Sequence, residues 1–164
     1  MAPRRIFLLA GAVAMVSFGN LSMFFLGLEV LSIALYILAA SNRLELKSNE
    51  AGMKYFLMGA FASAIILFGI CLVYGAMGTF DITEISELTR SAELPDQWFF
   101  SGIALILVGM LFKVAAVPFH FWAPDVYEGS PSLISVFMMT VVKTAGFAAF
   151  LRIFLICFAP LYDF

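Results

Sequence analysis

The chain has 164 residues, of which 63% are hydrophobic and only 12% charged. A soluble domain carries about 25% charged residues, so this composition excludes an ordinary water-soluble fold and points to an all-α, polytopic transmembrane helix bundle. A net charge of −2 argues against a nucleic-acid-binding surface.

Five spans are expected, over about residues 6–18, 21–40, 51–76, 98–118 and 132–158. The first begins after Arg4 and Arg5. Its short apolar run and Ala12-Val13-Ala14 share features with a signal peptide. The run continues unbroken to Gly19-Asn20, past the point of cleavage, which favours a membrane helix ended by a turn signal. The second span, LSMFFLGLEVLSIALYILAA, carries Glu29 near its middle. An ionised group at that depth costs roughly 2.5–3.5 kcal/mol on insertion scales, and such residues face the bundle interior and mark ion or proton paths.

The third span holds Lys54 in its first turn, where the side chain can snorkel to the interface. Gly59 and Ser63 form a small-xxx-small pair suited to close helix approach. Loop 78–97 follows, with Asp81, Glu84, Glu87, Glu93 and Asp96 against a single Arg90. Asp81-Ile82-Thr83-Glu84 resembles a capping box, and Ile82, Ile85 and Leu88 recur at a spacing of three, as in a short interfacial helix. Arg4, Arg5, Arg43 and Lys47 collect on the other side, so the positive-inside rule turns that side to the cytoplasm and the 78–97 loop outward.

The fourth span carries Lys113 and then Pro118. Proline lacks an N–H and clashes with the carbonyl four residues back, here that of Val114. A helix discontinuous near Pro118 puts Lys113 at the C-terminal end of a half-helix, where the dipole favours a cation. Broken helices of this kind recur at transporter ion sites. His120 lies seven residues beyond Lys113, so an uninterrupted helix would place both on one face and permit a proton relay. The fifth span has Lys143 near its middle, with Ser132, Ser135 and Thr140 as a polar stripe. Arg152 and Asp163 fall nearer its outer end, as interfacial anchors. Cys71 and Cys157 lie in apolar runs and read as free, buried thiols. No CxxC or Cys/His cluster suggests a metal site or a redox centre.

The strings FKVAAVPFHFWAPDVYEGSPS, FFLGLEVLSIALYILAA and EAGMKYFLMGAFASAIILFGICLVYGAMGT closely resemble the subunit N family of bacterial NADH–quinone oxidoreductase, respiratory complex I. These are antiporter-like membrane proteins, and segment 124–129, PDVYEG, favours subunit N over its paralogues M and L. The resemblance extends from about Gly19 to Arg152. It implies proton-transfer roles for five residues. Glu29 matches the glutamate on the family's fifth helix, Lys54 the lysine on the sixth and Lys113 the lysine on the broken seventh. His120 matches the histidine of the PFHxW motif, and Lys143 the lysine on the eighth helix. In the family, the glutamate and the broken-helix lysine form a switchable ion pair, and the eighth-helix lysine passes protons on.

Family members run to about three times this length, with two inverted five-helix repeats, and this chain resembles one repeat, residues 1–164 being a single membrane domain. The function expected is therefore a proton half-channel, coupled to quinone reduction elsewhere, in a multi-pass subunit of the bacterial inner membrane. No cofactor is expected in the chain itself; the resemblance implies NADH, FMN, iron–sulfur clusters and quinone in partner subunits. Its partners would be neighbouring antiporter-like subunits, the lipid bilayer and protons. The alternatives are a subunit of a multisubunit sodium/proton antiporter, which PDVYEG weighs against, and a non-conducting structural fragment.

Overall fold

The computed structural model describes residues 2–91 and 96–159, with side chains from Ile6 onward. Glu93 and Asp163 lie outside the described residues, and the side chains of Arg4 and Arg5 are not described. The described residues form seven helices: α1 (Ala2–Ser17), α2 (Leu21–Ala39), α3 (Leu46–Met77), α4 (Ile82–Ser91), α5 (Gln97–Val114), α6 (Ala123–Gly129) and α7 (Ser132–Cys157). The bundle is the expected all-α one, with α2, α3, α5 and α7 long and apolar enough to cross a membrane. The apolar part of α1, Ile6–Ser17, is shorter.

Helix α1 lies along α2, α2 against α3, and α3 along α5, while α7 returns beside α5 and α1. Lipid is already apolar, so these contacts depend on close backbone approach rather than on a hydrophobic drive. Gly69 and Gly102 supply it between α3 and α5: a Cβ on either would stand 2.7 Å from the other's carbonyl oxygen. Outward faces carry Leu26, Phe61 and Phe68, each more than half exposed, as lipid-facing positions should be.

One end of the bundle is joined by short polar ties. Asn20 caps α2, its Oδ1 accepting from Met23 N–H at 2.7 Å. Leu21 N–H donates to the Phe80 carbonyl and Ile82 N–H to that of Gly19, fixing the α1–α2 turn to the start of α4. Asp81 Oδ1 accepts from the Thr83 hydroxyl at 2.5 Å, from Thr83 N–H at 2.8 Å and from Glu84 N–H at 3.3 Å, and these donors, the hydroxyl foremost, hold its carboxyl below the ordinary range. The expected capping box is only half formed, because Glu84 turns to the Thr79 hydroxyl at 2.5 Å rather than to the Asp81 N–H. Arg152 Nε donates to the Phe18 carbonyl at 2.9 Å and lies over its ring. Half-buried, it ties α7 to the end of α1.

Three expectations change. Helix α3 starts five residues earlier than the apolar run: its 32 residues span about 48 Å, more than the ~30 Å hydrocarbon layer, so a polar first turn extends past it. Lys54 thus sits in the third turn. Cys71 is exposed on the helix surface, whereas Cys157 is buried. The polar stripe of α7 is not one wet face, since Ser135 is buried and donates to the Tyr127 carbonyl at 2.8 Å, while exposed Thr140 donates to the Val136 carbonyl of its own helix.

Candidate functional site

Helix α5 stops at Val114, short of Pro118. Ala115 adopts the left-handed conformation at φ 57°. Its N–H donates to the Phe112 carbonyl at 3.0 Å, and Ala116 N–H donates to that of Leu111 at 2.9 Å. This pair of bonds is a Schellman ending, normally built on glycine. The next eight residues, 115–122, run without helix before α6. Proline 118 is what forbids continuation; the capping residues decide where the helix ends.

This break places Lys113 in the last turn of α5, as the sequence predicts. The residue is 7% exposed, and its ammonium donates to the Ser32 hydroxyl on α2. Ser32 in turn donates to the Leu28 carbonyl at 2.5 Å. Glu29 lies three residues before Ser32, one turn away on the same face. Its Oε1 is buried without a hydrogen-bond partner. The ion pairs among the described residues involve only Lys47 and Lys54, so Glu29 and Lys113 are not joined. The charges within electrostatic reach of Lys113 are Glu29 and Lys143.

Lys143 is half-buried where α7 faces the end of α5. Its ammonium lies 3.5 Å from the Lys113 carbonyl oxygen, 5.1 Å from the centroid of the Trp122 ring and 5.8 Å from that of Tyr127. A five-residue π-helical stretch, Met138–Val142, comes just before it. Such stretches are frequent at functional sites.

The other two sequence candidates sit apart from this row. Lys54 pairs with Asp125 of α6 at 2.6 Å and Glu50 of its own helix at 2.7 Å, with its side chain 35% exposed. Beside it Lys47 pairs with Glu128 at 2.8 Å, which holds the Glu128 carboxyl below its usual range. Together these pairs pin α6 to the start of α3 around a cavity of about 150 Å³. His120 is exposed in the 115–122 segment. The helix has already ended at Val114, so the shared face that would align His120 with Lys113 does not exist, and no hydrogen bond joins them.

Several polar partners at the site were not singled out from the sequence. Ser32 is one, and it shares a face with Glu29. Tyr36 is another: its hydroxyl sits beside Ser32 and Ser63 without a hydrogen-bond partner. Gly59 makes its room, because a Cβ there would stand 2.2 Å from the Tyr36 hydroxyl. The small-xxx-small pair Gly59 and Ser63 thus borders the polar site as well as easing helix approach.

Comparison with known proteins identifies the family of the chain. The family model described as NADH:quinone oxidoreductase/Mrp antiporter, TM, matches residues 19–162. The NADH-quinone oxidoreductase subunit N of Flavobacterium johnsoniae is 70% identical over 91% of this chain and 32% of its own length. That of Cytophaga hutchinsonii is 54% identical over 88% and 31%. The chain thus spans about a third of the length of the curated relatives it matches. Among solved structures, a chain of respiratory complex I from Thermus thermophilus is 40% identical, with a TM-score of 0.79 over 91% of this chain and 33% of that one. A chain of the Mrp complex from a Dietzia species is 26% identical, with a TM-score of 0.86 over 96% and 29%. The chain is a multi-pass membrane protein, and it belongs to the NADH:quinone oxidoreductase/Mrp antiporter transmembrane family.

Proposed function

We propose that this chain forms one proton-conducting repeat of an N-type subunit of bacterial NADH–quinone oxidoreductase, in the inner membrane beside other antiporter-like subunits. The observation that supports this best is the row Glu29, Lys113 and Lys143 at the broken end of α5, with Lys113 held by neutral Ser32 and Glu29 left unpaired. The chain itself moves protons, not electrons; NADH, FMN, iron–sulfur clusters and quinone belong to partner subunits.

The mechanism is electrostatic. Burial disfavours any charged group, and a nearby opposite charge favours it. When Glu29 moves its carboxylate toward Lys113, the ammonium is stabilised and the lysine loads a proton. When Glu29 withdraws, Lys113 returns to a neutral hydroxyl partner and releases it. Lys143, within electrostatic reach and hydrogen-bonded to the carbonyl of the same residue, is the next acceptor. Lys54 and His120 have a different placement. The ion pairs of Lys54 suit an entry or clamp at the α6 end, and His120 lies off the row.

The test uses the complete subunit in its assembled complex. Lys113→Met removes a buried charge, so assembly is retained while proton pumping falls. Lys113→Arg keeps a charge opposite Glu29 but cannot release a proton at working pH, so pumping falls about as far. Glu29→Gln also lowers pumping with assembly intact. Full pumping by the arginine variant means that a fixed charge suffices and removes Lys113 from the shuttle. A proton flux that requires sodium favours the antiporter reading instead, to which the likeness with the Mrp complex lends weight.

A further inference from the structure

Lys143 is held by backbone and aromatic groups rather than by the charged side chains of the row. The open end of α5 presents three carbonyls in succession. That of Leu111 accepts from Ala116 N–H, that of Phe112 from Ala115 N–H and also from Trp122 Nε1–H at 3.1 Å, and that of Lys113 from the Lys143 ammonium. Lys143 therefore closes the C-terminus of a half-helix from another helix, where the aligned peptide dipoles favour a cation.

The aromatic wall of this position is rigidly built. Trp122 is 3% exposed. Its indole stacks on Phe112 at 5.4 Å and on Tyr55 of α3 at 5.0 Å, and its N–H is engaged by the α5 carbonyl. Tyr127 meets its edge at 5.9 Å. These four contacts fix the indole, and the Lys143 ammonium lies over its ring. The Tyr127 backbone is fixed in turn by the Ser135 hydroxyl.

We propose that Trp122 and Tyr127 are positioning residues for proton transfer, forming a seat for the Lys143 ammonium against the Lys113 carbonyl in the last turn of α5. The attraction of an aromatic face acts on the cation and not on the neutral amine. A carbonyl acceptor likewise prefers the ammonium as its donor. Lys113 opposes both, because its own charge lies within electrostatic reach of Lys143. The seat takes hold of Lys143 once it has accepted the proton and releases it once the proton has gone, so the charged state that follows the step from Lys113 has a fixed geometry. This inference rests on the proton-conducting reading above.

Size alone cannot be the test, since Trp122 also packs. In the complete subunit within its complex, Trp122 is replaced at its codon by mono-, di- and trifluorotryptophan, which keep shape and N–H donor while draining charge from the ring face. The quantity read is the part of proton pumping that Lys143→Met abolishes. It is expected to fall stepwise along the series, by roughly three- to tenfold at the end, with assembly unchanged. Pumping that stays level or rises along the series makes Trp122 a packing residue and overturns the seat. Lys143→Met separates the two readings. Loss of pumping there with a flat series leaves proton conduction standing without the seat, whereas normal pumping by Lys143→Met removes both.

Discussion

Ser32 decides which neighbour Lys113 has. Its hydroxyl is fully buried, donates to Leu28 and accepts the ammonium, so Lys113 has a neutral partner one helical turn from an unpaired carboxylate. Removing that hydroxyl leaves the ammonium with an unmet hydrogen bond, a penalty of about 1–3 kcal/mol, and Glu29 is the group within reach that can offset it. Ser32→Ala is therefore expected to favour a lasting Glu29–Lys113 pair and slow pumping several-fold, while Ser32→Thr, which keeps a hydroxyl, retains most of the rate. Infrared difference spectra of the Glu29 carboxyl provide the check: an alanine variant with wild-type spectrum and rate rejects the switching role of Ser32. At this scale the sequence is informative where charge is out of place. Glu29, Lys113 and Lys143 are conspicuous because lipid penalises them. Ser32 is not, since a lone serine in an apolar helix usually donates to its own backbone, as Ser32 also does. Its position three residues from Glu29 was the available signal. Trp122, stacked on Tyr55, and the Lys54–Asp125 pair were illegible for another reason: each depends on contacts between segments far apart in the chain.

Among the helices, the end of α5 concentrates the strain. Ala115 holds a left-handed φ of 57°, a conformation that costs an L-residue with a Cβ about 1–2 kcal/mol and glycine little. Ala115→Gly in the complete subunit should therefore stabilise it by about 1 kcal/mol, seen as a rise of a few degrees in the thermal midpoint in detergent. An unchanged or lower midpoint means that the cap is not strained. The position of the break illustrates what local chemistry can foretell. Pro118 announces that α5 cannot continue, yet the helix ends four residues earlier, where two N–H groups find the orphan carbonyls. Sequence periodicity also gives no hint of the π-helical stretches in α7, because an apolar run looks the same with or without an added residue per turn.

Across the whole molecule, the two ends of the bundle differ in basic residues. The turn Gly19-Asn20 is tied to Asp81, so it shares an end with α4 and its Arg90; Arg152 reaches Phe18 at that same end. The other end carries Arg43, Lys47 and Lys54, and the sequence adds Arg4 and Arg5 at the start of α1. That end also gathers Glu45, Glu50, Asp125 and Glu128, four acids against its five bases, which would leave it little positive balance if net charge set orientation. The positive-inside rule counts lysine and arginine, with acids contributing little, so the Lys47 end should face the cytoplasm despite its ion pairs. Single cysteines at 47 and 87, placed in a background where Cys71 and Cys157 are serine, test this in intact cells with the outer membrane permeabilised. The cysteine near α4 should be labelled by a membrane-impermeant thiol reagent, and the one at 47 only after the inner membrane is opened. The reverse pattern would invert the bundle and make the Lys54–Asp125 end the outer mouth of the path. The proton would then travel the row from the opposite side. Labelling at both positions before the inner membrane is opened would mean that these helices do not cross the bilayer as a bundle.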